Sequence, residues 1–264
     1  MKGFIVAIEV VDKFLYQYEN KLGLHWPVEV TVDSVLAEEP QVVSSRDRQV
    51  HALTVPKVFA DNLLELRCDL VSSLVRMKLA ESLDPIFATV AFNPQQEDGS
   101  PEFTESKKQL TYAQKVVDVW VADGVNRLDR RMAEEAVFNW LDSVIRADVT
   151  DISLTPLELI LGYSLCYAQA RRANMTGYEH KEARVLEKIT KLLSYRDDAG
   201  RLLEDMPKLY LDLPPLPMND SKRALDLFAQ KTRQACKLLS FPIMPSLVEV
   251  EGRTVWRIED LSAT

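Results

Sequence analysis

The chain has 264 residues, 47% of them hydrophobic, with 32 Lys and Arg against 40 Asp and Glu for a net charge of −8. That length and apolar content suffice for one large domain or two modest ones with a real core, and the interspersed, acidic charge argues against a chain built to coat nucleic acid. Three cysteines, Cys68, Cys166 and Cys236, show no CxxC or Cys/His spacing, which excludes a zinc finger or disulfide framework and fits a reducing, cytoplasmic compartment.

The N-terminal stretch places Phe4, Ile8, Val11, Leu15, Tyr18 and Leu22 at alternating steps of four and three, ending at Gly23. This predicts an amphipathic helix, although "FIVAIEVV" is also dense in strand formers. Glu9 and Asp12 interrupt the apolar start, so no targeting segment is expected, and no window reaches the 18 or so apolar residues that a membrane span needs. Next, "HWPVEVTVDSV" alternates Val28, Val30 and Val32 with polar residues and predicts a half-buried strand, with a second extended piece over 49–55.

Thr54 and Pro56 supply a helix start, and Phe59, Leu63, Leu66, Leu70, Leu74 and Met77 then share a face up to Leu83-Asp84-Pro85. "IFATVAF" (86–92) predicts another short strand, and the polar loop "NPQQEDGSPE" marks a boundary. Residues 1–97 accordingly form an N-terminal α+β region and 98–264 a helical region, or the two form one compact domain.

Helical periodicity resumes at Thr104 and runs to Val144, with a break expected at Asp123-Gly124. Thr155-Pro156-Leu157-Glu158 has the order of a capping box and predicts a helix start; a break over 174–177, a helix over 179–195, and a last helix capped by Asn219-Asp220-Ser221 follow. Between these lies "LDLPPLP", part of a proline-rich stretch (207–217) whose Leu211, Leu213 and Leu216 are costly to leave in water. It predicts a strap over the helical core rather than a free linker, which is ordinarily more polar. A hairpin over 246–259 closes the chain; a three-residue loop, Glu251-Gly252-Arg253, places Val248, Trp256 and Ile258 on one face. The predicted fold class is mainly α (α+β): a helical bundle with a small N-terminal β component and a C-terminal hairpin.

Reactive constellations are sparse. Among eight glycines none forms a phosphate-cradling GxGxxG or GxxxxGK, and His25, His51 and His180 form neither HExxH nor HxH, so no cofactor is expected. Glu179, Glu182, Asp197 and Asp198 meet only if their helices pack antiparallel, which would make a metal site for a helical phosphohydrolase or transferase. "DDAGRLLED" departs from the DDxxD pattern of helical prenyl transferases, Arg201 standing in the last aspartate's place. Lys222, Arg223, Lys231, Arg233 and Lys237 on the last helix are opposed by Asp226 alone, a pattern suited to phosphate or an acidic partner. The favoured expectation is a non-enzymatic assembly subunit with protein partners and no membrane contact, in which the patch Val248, Trp256 and Ile258 either anchors a partner or is buried within the same chain. The alternative partner is nucleic acid, bound through the basic helix and the hairpin.

Overall fold

The computed structural model describes residues 2–33, 40–57, 63–147 and 154–261, with side chains from 11–33, 40–57, 67–147 and 154–261. The N-terminal segment is helix α1 (Lys2–Leu22), with Val11, Leu15 and Tyr18 buried. It ends as its last residues dictate: Gly23 takes φ +62, its N–H reaches Asn20 O (3.3 Å), and Leu24 N–H reaches Glu19 O (3.2 Å). These two bonds satisfy carbonyls the last turn leaves open, and the left-handed residue between them favours glycine.

Strands β1 (Val28–Asp33), β2 (Gln41–Ser45) and β3 (Val50–Pro56) form a sheet of order β1-β3-β2, with β1 parallel and β2 antiparallel to β3. The alternation read for β1 holds in register: Val28, Val30 and Val32 pair with His51, Leu53 and Val55 on the inward face. Strand β2 was not foreseen from sequence. Pro56 ends β3 rather than opening the following helix, and Phe59 lies outside the described residues. Helix α2 (Leu63–Ser82) buries Leu70, Leu74 and Met77.

"IFATVAF" does not form the expected strand. Pro85–Phe87 makes one 3-10 turn because Asp84 Oδ1 accepts Ile86 N–H (3.0 Å) and Pro85 is preset for helical φ. The residues after it run beside the C-terminal hairpin instead, Ala91 O accepting Trp256 N–H (2.8 Å) and Asn93 N–H donating to Trp256 O (2.9 Å).

Helices α3 (Pro101–Ala113), α4 (Val117–Leu128) and α5 (Arg130–Arg146) carry the long periodic stretch. The break falls at Asp129, not at Asp123-Gly124. Asp129 caps α5 through Met132 N–H (3.0 Å) and accepts from Tyr18 OH (3.0 Å). Gly124 stays inside α4 because α2 crosses closely there: a Cβ would lie 2.5 Å from Val75 Cγ1. Its use is close approach, which local sequence does not distinguish from a turn.

Helix α6 (Pro156–Arg172) opens on the expected capping box, with Thr155 N–H donating to Glu158 Oε2 (2.7 Å) and Glu158 N–H to Thr155 Oγ1 (3.3 Å). Gly177, at φ +80, separates it from α7 (Tyr178–Leu192). A further helix, α8 (Ala199–Leu211), was not foreseen and contains Pro207. It packs along α6 and buries Leu202, Met206, Leu209 and Tyr210. Tertiary burial here outweighs the proline's lost hydrogen bond.

The strap therefore starts after Leu211, later than expected. Leu213 is buried and Leu216 half-buried against the core, as a strap requires, whereas Leu211 belongs to the helix. Trp120 Nε1 donates to Pro214 O (2.8 Å), and Arg172 Nη1 donates to Leu211 O (3.1 Å) and Leu213 O (2.7 Å). Arg172 is itself held by Asp123. The strap then enters α9 (Ser221–Leu238), capped by Asp220 through Arg223 N–H (3.0 Å).

Strands β4 (Ile243–Val250) and β5 (Arg253–Asp260) form the hairpin. Its loop is the two residues Glu251-Gly252, at φ +50 and +75, the left-handed pair of a tight primed turn, rather than three residues. The register moves by one: Val248 faces Val255, and Leu247 faces Trp256. Phe228 on α9 joins the parts, stacking on Phe87 (5.1 Å) and meeting Trp120 (6.2 Å) and Trp256 (5.3 Å) edge to face. One hydrophobic core thus runs across residue 97, and the fold is mainly α with two small β elements. Among the described residues no helix is long and apolar enough to cross a membrane.

Candidate functional site

Each group of sequence-selected residues has a definite place. Trp256 is fully buried on Phe228 and Ile258 is buried beside it, so both serve the internal core. Val248 does not join them. A one-residue register shift moves a strand's side chains to the opposite face, so Val248 lies on the other side of β4.

Three of the four acidic candidates, Glu179, Glu182 and Asp198, are drawn into ion pairs. Arg171 holds Glu179 (3.3 Å) and Glu182 (2.9 Å), and Tyr163 OH also donates to Glu182 (3.4 Å). Arg196 grips Asp198 through two bonds of 2.8 Å, which hold that carboxyl below its ordinary range. Among the described residues no three His, Cys, Asp or Glu side chains converge as metal ligands, so Glu179, Glu182, Asp197 and Asp198 do not make one centre. Burial pushes the Cys68 thiol up to about 11 and that of Cys236 up to about 12, and raises Cys166 further, so the cysteines are protonated packing groups near neutral pH.

The basic candidates line or flank a groove. A cavity of about 560 Å³ lies between α9 and β4, with Lys222, Asp226 and Arg233 on one wall, Leu247 and Glu249 on the other, and Leu225 part-buried between. At 100° per residue, Lys222, Asp226 and Arg233 fall within about 40° of one another around α9, Lys237 and Arg223 extend that face, and Lys231 lies about 180° from Lys222. Among the described residues no ion pair or hydrogen bond engages the side chains of Lys222, Arg223, Arg233 or Lys237, and Lys231 meets only Gln234 (3.2 Å). The helix's inward face is occupied by Ala224, Phe228, Thr232 and Ala235, which fixes its charged face outward.

A second, larger cleft of about 750 Å³ opens between β2, α2, α4, α5 and α6. Its walls carry the Arg76–Asp118 ion pair and buried Gln114, and Val43 and Val90 stand exposed at its border. No sequence signal marked this cleft, because its lining comes from helix faces distant in sequence whose small residues look like ordinary core. Near the sheet, Ser44 Oγ and His51 Nδ1 are hydrogen bonded (2.8 Å), and His51 Nε2 lies 3.7 Å from Glu81 Oε2. The order resembles a hydrolytic relay, but Ser44 is 7% exposed and His51 0%, so the hydroxyl is shut away from any substrate.

Comparison with protein-family models, curated proteins and solved structures finds no match to this chain.

Proposed function

We propose that this chain is a non-enzymatic subunit or adaptor of a larger assembly, and that it meets an acidic protein partner at the groove between α9 and the hairpin. The observation that supports this reading is the state of the α9 cations. Lys222 and Arg233 border an open groove with an apolar floor of Leu225 and Leu247, and neither has a described partner. An apolar centre with charged margins is how protein interfaces combine affinity with orientation, the unpaired rim charges steering the encounter. The apolar floor of Leu225 and Leu247 can bury protein side chains and gives a polyphosphate backbone nothing to bond, which favours a protein over a nucleic acid.

Affinity purification of the tagged chain from its native source, beside the Lys222→Glu/Arg233→Glu variant, tests the reading. The expected result is a stoichiometric protein companion that is retained by the native chain and lost by a variant of unchanged melting temperature. A chain that elutes alone, or a companion indifferent to the reversal, sets the reading aside.

A further inference from the structure

The hairpin's hydrogen-bonding edges are occupied unequally. Trp256 donates to Ala91 O and accepts from Asn93 N–H, while Ile258 exchanges two bonds with the Gln96 side chain (2.7 and 3.0 Å). The outer edge of β5 is therefore closed. These bonds also show that the backbone groups of Trp256 and Ile258 point away from β4. In an antiparallel pair such residues face partners that likewise point away, so Leu247 and Pro245, which pair with them, turn their backbone groups outward, and Glu249 follows by alternation.

Along the groove, then, Leu247 and Glu249 offer two N–H donors and two C=O acceptors on the outer edge of β4, and no described group bonds to them. Pro245 has no N–H and closes the edge at one end; the Glu251-Gly252 turn closes it at the other. A short, unpaired stretch remains directly above the α9 cations. An open strand edge is a template for another chain unless it is covered or blunted. Elsewhere this protein blunts one: the Thr89 hydroxyl accepts Ser44 N–H (3.1 Å) and donates to Val42 O (3.2 Å) on β2.

We propose that an extended, acidic segment of a partner protein adds to β4 as a third strand, bonding to Leu247 and Glu249 with alternate side chains facing α9. This rests on the adaptor reading above and supplies its binding mode. Charge selects the occupant: α9 sets Lys222 and Arg233 on the groove, with Arg223 and Lys237 extending the same face, and Asp226 and Glu249 are the opposing carboxylates. Geometry agrees with a strand. Lys222 and Arg233 are about 16 Å apart along the helix axis, and side chains four residues apart on a strand are separated by about 13 Å, a difference that long cationic side chains span.

Fluorescence anisotropy with a labelled decapeptide alternating glutamate and valine tests this at low salt, beside its lysine–valine counterpart and a ten-nucleotide single-stranded DNA. Two changes isolate the backbone bonds. Glu249→Pro removes one outward N–H while leaving the β4–β5 ladder, as Pro245 already does on the same edge, and it takes away a carboxylate whose loss alone would not weaken an acidic peptide. N-methylation of alternate residues of the peptide removes its donors without altering the protein. Binding of the acidic peptide that falls at least tenfold with either change, and with Arg233→Glu, is the expected outcome. Equal binding after both backbone changes, but loss with Arg233→Glu, overturns strand addition and leaves the adaptor reading standing. Tighter binding of DNA or of the lysine peptide, or no binding of the acidic peptide to the native chain, overturns both.

Discussion

Along α6, α7 and α8 the charges are matched one against another: Arg171 with Glu179 and Glu182, Arg172 with Asp123, Lys181 with Asp142, and Lys208 with Glu204. Along α9, Lys222, Arg223, Arg233 and Lys237 stand without described partners. Both regions bury a mostly apolar inner face, and the difference of interest lies in what the outer face does. Where a cation spans two elements it fixes their relative position, as Arg172 does for the strap. Where it has no partner it contributes little to folding and remains available for binding.

The comparison can be broken at several points. Phe228→Ala should have the largest effect, about 3–5 kcal/mol in denaturant unfolding, because one ring links the 3-10 turn, α4, α9 and the hairpin. Arg172→Met should cost about 2 kcal/mol, since it leaves the Asp123 carboxylate and two strap carbonyls without their donor. Proteolysis near Pro214 should accelerate with it, whereas Arg171→Met should leave the strap as resistant as before.

A pH effect belongs to the sheet. Burial, the largest influence, holds the His51 imidazole below its ordinary value, with Glu81 pulling the other way. The unfolded chain therefore takes up a proton near the ordinary imidazole value of about 6.5 while the folded chain resists it. Stability should fall as pH drops through that value toward the lower folded one. The melting temperature of His51→Gln, compared with the native chain between pH 8 and pH 5, should show a shallower decline; parallel curves would exclude His51 as the source.

Smaller still, Thr155→Ala should cost about 1 kcal/mol through the lost cap of α6. The smallest change in stability, within about 0.5 kcal/mol, is expected for Lys222→Glu/Arg233→Glu, because neither cation is engaged in the fold. A loss larger than that of Thr155→Ala would mean that α9's charges serve the fold after all, and the contrast between the two faces would disappear.

Several element ends were legible because their chemistry is local, although the Asp84 and Asp129 caps and the two-residue Glu251-Gly252 turn, equally local, were not. Gly23, the Thr155 capping box, the 174–177 break and the Asp220 cap mark ends that adjacent residues dictate, and the valines of β1 declare their face by alternation. Of the site, sequence supplied the α9 cations and the hairpin, but not their relation. Trp256 read equally as an interface anchor or as core, because an aromatic on an alternating strand reads the same whether its face meets solvent or another helix.

The strap shows the division most plainly: "LPPLP" by itself determined an extended, apolar path, since proline fixes φ and leucine avoids water. Which surface it covers was decided by Trp120 and Arg172, donors distant in the chain. Likewise the helical periods, caps and charge sign of α9 were written locally, whereas the α8 helix through Pro207, the passage of Gly124 beneath Val75, and the open edge of β4 were not. Those depend on long-range packing, in which the burial gained across the whole core outweighs what neighbouring residues prefer.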